Sequence, residues 1–151
     1  MFNAITHSHI WVFDQDQALD FYVGKLGLEV RADVDLEVMR WLTVGVPGEP
    51  GREILLEVPG PPGMDPASAA ETRDLVAKGA TGLNAIFTTE DCQATFEDLR
   101  DRNVEITQEP VERFYGIDMG IRDPFGNHLR VTQPAPVPAG GWPSDVKVAE
   151  F

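Results

Sequence analysis

Three histidines, one glutamate and one arginine carry most of the chemistry open to this chain of 151 residues. His7 and His9 lie two apart in the apolar run 5–13, and His128 and Arg130 lie two apart in the run 128–132. Alternate residues of a strand share a face, so each pair points one way and all three imidazoles can face one interior. Two imidazoles and a carboxylate form a donor set that suits iron, zinc or manganese. Two such sets are open here: His7, His9 and Glu57, or His7, His128 and Glu57. Equally, His7 or His128 can act as acid or base near neutral pH. Arg130 cannot join a metal set, because a guanidinium is always cationic and has no lone pair to give. Its planar fork can instead hold a carboxylate, phosphate or enolate, or pair with Glu57 in an ion pair that stabilises only when well hydrogen-bonded.

Aromatic residues Trp11, Trp41, Phe87, Phe114 and Tyr115 could wall a site for a planar compound, though each taken singly would serve as well in the core. Gly116 permits a sharp bend that brings Tyr115 to the rim of such a site. The one cysteine, Cys92, sits in an apolar helical stripe with no basic neighbour, which is the setting of a core residue rather than a reactive thiolate.

The elements that must position these groups fall into two similar halves. In the first, the strand 5–13 is followed by Asp14 as a helix cap, and Ala18, Leu19, Phe21, Tyr22 and Leu26 follow at helical spacing to a stop at Gly27. Strands are expected over 28–31, 38–44 and 53–58, with a Pro-Gly turn near 46–51. In the second half a strand over 85–87 leads to Thr88 and Thr89 as a cap. A helix through Cys92, Phe96 and Leu99 ends near Asn103, and strands follow over 104–108, 117–122 and 128–132. Asp14 with Thr89, Phe21 with Phe96 and Val30 with Ile106 are separated by 75, 75 and 76 residues, a steady offset that marks an internal duplication. Asp65 and Pro66 open a linker helix over about 65–79. The tail 136–151 is rich in Pro, Gly and Ala, and Trp142 and Phe151 make a contact with a partner subunit one option for it.

Acidic residues outnumber basic ones by 25 to 12, and the net charge of −13 repels nucleic acid and anionic membranes. With one cysteine there is no intramolecular disulfide. No run is apolar enough to span a bilayer and no signal-like N-terminus is evident, so a cytoplasmic protein is expected.

Two stretches resemble signatures of the vicinal oxygen chelate superfamily, which includes glyoxalases, bleomycin-resistance proteins and extradiol dioxygenases. One is Val12-Phe-Asp-Gln-Asp-Gln-Ala-Leu-Asp-Phe-Tyr22 with Leu26-Gly27; the other is the turn Asp123-Pro-Phe-Gly-Asn127. The resemblance covers about residues 5–133. It implies an α+β fold of two βαβββ modules, about 5–60 and 82–133, whose curved mixed sheets surround a cup-shaped cavity within a single domain 1–135. It implies homodimers, and a metal held by the first and fourth strands of each half. Those positions fall on His7, Glu57, Asn84 and Arg130. The first two suit a metal; the neutral amide and the guanidinium do not, so the usual four-ligand site is expected to be degenerate.

Three functions remain open. The first is metal-free binding of a small aromatic or anionic compound, with Arg130, Asn84, Glu57, His9, Trp11 and Tyr115 as contacts. The second is a lyase, isomerase or dioxygenase using iron, manganese, nickel or zinc at a rearranged His/Glu site. The third is metal-free proton transfer by His7 or His128.

Overall fold

The computed structural model describes residues 1–142. The strands are β1 (His7–Trp11), β2 (Glu29–Asp35), β3 (Arg40–Gly45), β4 (Glu53–Glu57), β5 (Leu83–Thr88), β6 (Glu105–Arg113), β7 (Gly116–Arg122) and β8 (His128–Pro134). The helices are α1 (Gln15–Leu19), continuing as a π-helical segment Asp20–Lys25, then α2 (Pro66–Ala77) and α3 (Cys92–Asp101). The strands form two four-stranded sheets of order β1-β4-β3-β2 and β5-β8-β7-β6. In each, the first and last strands of a half pair in parallel and the others pair antiparallel. A parallel pair needs a long crossover, and here the helix and the two middle strands supply it. The two expected modules and their mixed, curved, open sheets are the observed architecture.

Local chemistry explains the boundaries. The Asp14 carboxylate accepts from the Gln17 amide at 2.8 Å and starts α1. Gly27 takes φ +76, a left-handed stop that costs glycine little. Asp65 caps α2 with Pro66 in its first turn, as expected. The cap of α3 is a correction: it is Asp91, accepting from Ala94 N, and not Thr88 or Thr89. Thr89 pairs its hydroxyl with that of Thr95 instead. Strand β6 also outruns the expected 104–108, because bulged pairing with β7 carries it on to Arg113. In the tail, Trp142 packs edge-on against Phe114 of the same chain, at 5.4 Å between ring centroids; Phe151 lies outside the described residues.

Each sheet buries one face against helices and leaves the other open. Ile10, Leu42, Val44 and Leu56 from the first sheet, Met119, Ile121, Leu129 and Val131 from the second, and Phe21, Tyr22 and Leu99 from the helical segments form one core. Asp123, in the turn before β8, ties the halves together. Its Oδ1 accepts from the backbone N–H groups of Phe125, Gly126 and Asn127, and its Oδ2 from Tyr22 Oη at 2.6 Å and Asn127 Nδ2 at 2.7 Å. Asn127 Nδ2 also donates to the carbonyl of Trp11. Among the described residues no helix is long and apolar enough to cross a membrane.

Burial, and then the adjacent Asp123 carboxylate, hold the Tyr22 hydroxyl well above the ordinary tyrosine value. A raised folded-state value favours the neutral phenol, so this stability is intact below the unfolded value of about 10 and falls as pH rises beyond it. Denaturant titrations should therefore show an alkaline loss of stability that is reduced in Tyr22→Phe. Asp123→Ala, which orphans the buried phenol, should cost about 3 kcal/mol or more at neutral pH.

Candidate functional site

Strand register dictates which side chains share each open face. On the first sheet, His7 pairs with Glu53, His9 with Leu55 and Trp11 with Glu57 across β1 and β4. His7 Nε2 stands 3.4 Å from Glu53 and His9 Nδ1 3.8 Å from Glu57. The His9 and Trp11 rings meet edge-on at 4.7 Å, and Trp41 lies 6.0 Å from His7. These histidines are about half exposed.

On the second sheet, β8 presents His128, Arg130 and Thr132 beside Asp118 and Gly120 of β7. Here lies a hollow of about 460 Å³ lined by Leu83, Ile86, Thr107, Tyr115, Asp118 and Arg130, among others. Asp118 is its polar centre and is almost fully buried. The Arg130 guanidinium forms an ion pair with Asp118, while Tyr115 Oη and Thr132 Oγ1 each donate to the same carboxylate at 3.0 Å. The guanidinium also donates to Gln108 Oε1 at 3.2 Å. Gly120 makes room for it: a Cβ there would stand 3.0 Å from Arg130 Nη1 and 2.5 Å from Thr107 Oγ1.

Burial by itself would raise the Asp118 carboxyl, but hydrogen bonds from Arg130, Tyr115 and Thr132 outweigh it and hold the group below the usual carboxylate range. Tyr115 is shifted the other way, by burial first and then by its bond to Asp118. Burial likewise raises the Cys92 thiol, which is fully enclosed.

The structure separates several residues that the sequence left free to meet. Arg130 is paired with Asp118 rather than with the suggested partner Glu57. His128 is on the second sheet with Nε2 3.3 Å from Arg122 Nη2, whereas His7 and His9 face glutamates on the first sheet. Asn84 sits where the β5–β8 register shifts, and its Oδ1 accepts from His128 N at 3.1 Å, repairing the ladder. Of the aromatic candidates only Tyr115 lines this hollow; Trp11 and Trp41 stand on the first sheet. Tyr115 precedes Gly116, whose φ of +142 makes the expected bend.

The metal positions implied by resemblance, His7, Glu57, Asn84 and Arg130, thus comprise a histidine facing Glu53, a glutamate beside His9, a backbone-bound amide and a cation. They do not fit a metal. Among the described residues no three His, Cys, Asp or Glu side chains group in a way that could hold an ion. Asp118 and Gln108 were missed. Their signal was present: an acidic residue inside the apolar strand Gly116–Arg122 must find a partner when buried.

Two βαβββ halves with open curved sheets define the glyoxalase and bleomycin-resistance fold. The model of the Glyoxalase/Bleomycin resistance protein/Dioxygenase superfamily matches residues 4–131, and the chain belongs to that superfamily. It is 31% identical over 130 residues to YurT, an uncharacterized protein of Bacillus subtilis (strain 168), covering 85% of this chain and 98% of YurT. The crystal structure of UcmS2 superposes with a TM-score of 0.82 at 42% identity, covering 87% of this chain and 98% of UcmS2. TnmS3, an antibiotic binding protein from Streptomyces sp. CB03234, superposes with a TM-score of 0.70 at 27% identity, covering 89% and 98%.

Removing the cation should expose the cost of a buried unpaired carboxylate. Arg130→Ala is expected to lose about 3 kcal/mol at neutral pH. Asp118 stabilises the native protein above its unfolded value of about 4, and that stabilisation fades as pH falls through its lower folded value. The gap between the native protein and Arg130→Ala should therefore narrow in acid, as urea midpoints at pH 7 and near pH 3 would show.

Proposed function

We propose that this protein binds a planar aromatic small molecule, non-covalently and without a metal, in the hollow on its second sheet. The observation that carries this reading is the neutralised floor. Arg130 is matched by Asp118 and Gln108, so the hollow offers a polar but charge-balanced base beneath Leu83 and Ile86. An anion would have to compete with the buried carboxylate for the guanidinium. A flat apolar ring system instead covers the apolar walls, stacks beside Tyr115 and leaves the ion pair intact. The volume falls in the usual range for drug-sized ligands, roughly 300–1,000 Å³. The relationship to TnmS3, an antibiotic binding protein, supports sequestration of such a compound.

A homodimer belongs to this reading. Val34, Leu36 and Val38 near the β2–β3 turn are large apolar side chains left exposed. A second copy would shield them from water. The single free thiol accords with a cytoplasmic setting, and the acidic surface disfavours nucleic acid and anionic membranes.

Calorimetry with phenazine and phenazine carboxylate tests the ligand class. Phenazine should bind at least as tightly as its carboxylate, unaffected by a chelator, and Tyr115→Ala should weaken it about tenfold. Stoichiometric iron, manganese, nickel or zinc in untagged protein, lost in His7→Ala, would overturn the metal-free reading in favour of a lyase, isomerase or dioxygenase. Sedimentation should show twice the mass of one chain.

A further inference from the structure

A second hollow, of about 540 Å³, adjoins the first across β5, and Ile86 lines both. The two differ in chemistry. The first is walled by Leu83 and Ile86 over a satisfied ion pair. The second carries Ser8, Glu49, Arg52, Asn84 and Thr88. Among the described residues, the hydroxyls of Ser8 and Thr88, the Nδ2 of Asn84, the Arg52 guanidinium and the Glu49 carboxylate have no protein hydrogen-bond or ion-pair partner. Glu53, which also lines this hollow, is already committed to Thr43 Oγ1 at 2.6 Å and to His7.

The uncommitted groups form a mixed set. Arg52 and Asn84 Nδ2 only donate, Glu49 only accepts, and the two hydroxyls do both. An anionic arm would meet Glu49 as well as Arg52, and a cationic arm would meet the reverse conflict. A neutral polyhydroxylated group uses every member, because each of its hydroxyls donates and accepts. Phe87 on the same wall adds an apolar face of the kind the C–H side of a sugar ring can cover.

We infer that the second hollow is a subsite for a neutral glycosyl or polyol arm of the same ligand, whose aromatic part occupies the first hollow. This rests on the binding reading above and adds to it the class of compound: a glycosylated or polyhydroxylated planar aromatic, lying across Ile86.

Fluorescence titration of the full-length protein with a methoxymethylcoumarin and with methylumbelliferyl glucoside tests this, since the two share a coumarin core and differ in the sugar. The glucoside should bind about tenfold more tightly, the gain expected from one or two additional net hydrogen bonds. In Arg52→Ala and Thr88→Val the ratio of the two affinities should fall towards one. Both positions are exposed, and an unchanged thermal midpoint would confirm an intact fold. Equal affinities for the two probes in the native protein would overturn the subsite and leave the aromatic reading standing. Binding of neither probe would overturn both.

Discussion

A single buried carboxylate holds the two halves of this molecule in one arrangement. Asp123 closes its own turn through three backbone amides and accepts the Tyr22 phenol from the other half. Asn127, four residues on, reaches the carbonyl of Trp11 at the end of β1. Phe13 and Phe125 pack edge-on at 5.5 Å beside the same junction. A buried charge of this kind is tolerable only when every lone pair is used, so the turn, the first helix and the first strand are positioned together. The placement of β8, and with it Arg130, follows from that turn.

The second carboxylate, Asp118, does for the open face what Asp123 does for the core. Three donors converge on it, Arg130 and Thr132 from β8 and Tyr115 from the bend before Gly116. The result is a polar base in which the guanidinium is balanced by the carboxylate. The duplicated half is built otherwise. Its open face carries the His7–Glu53 and His9–Glu57 pairs and two tryptophans, with no equivalent of the Asp118 hub. A common scaffold thus supports two unlike surfaces.

How legible this was depended on the range of the interactions. Asp14, Gly27, Asp65 and Pro66 act on amides or dihedrals within a few residues, and their roles were readable directly. The same holds for the order of strands and helices and for the turn Asp123–Asn127. The α3 cap was misjudged because threonine and aspartate both cap well and Asp91 lies only two residues beyond Thr89. The extension of β6 depends on its partner's bulges, a property of two strands rather than one.

Local pattern was enough to give the order of strands and helices and their duplication, and the family resemblance implied the α+β fold. Residue type alone showed that Arg130 could not bind a metal, because guanidinium chemistry does not depend on surroundings. Only the tertiary structure decided what Arg130 does. Its partner, Asp118, is 12 residues away and meets it solely because β7 and β8 pair in one register. The pairing of β5 with β8 makes Asn84 Oδ1 a backbone acceptor, and the division of the strands between two sheets sets His7 and His128 apart. Residue type determines what a group can do; strand pairing determines which groups it can do it with.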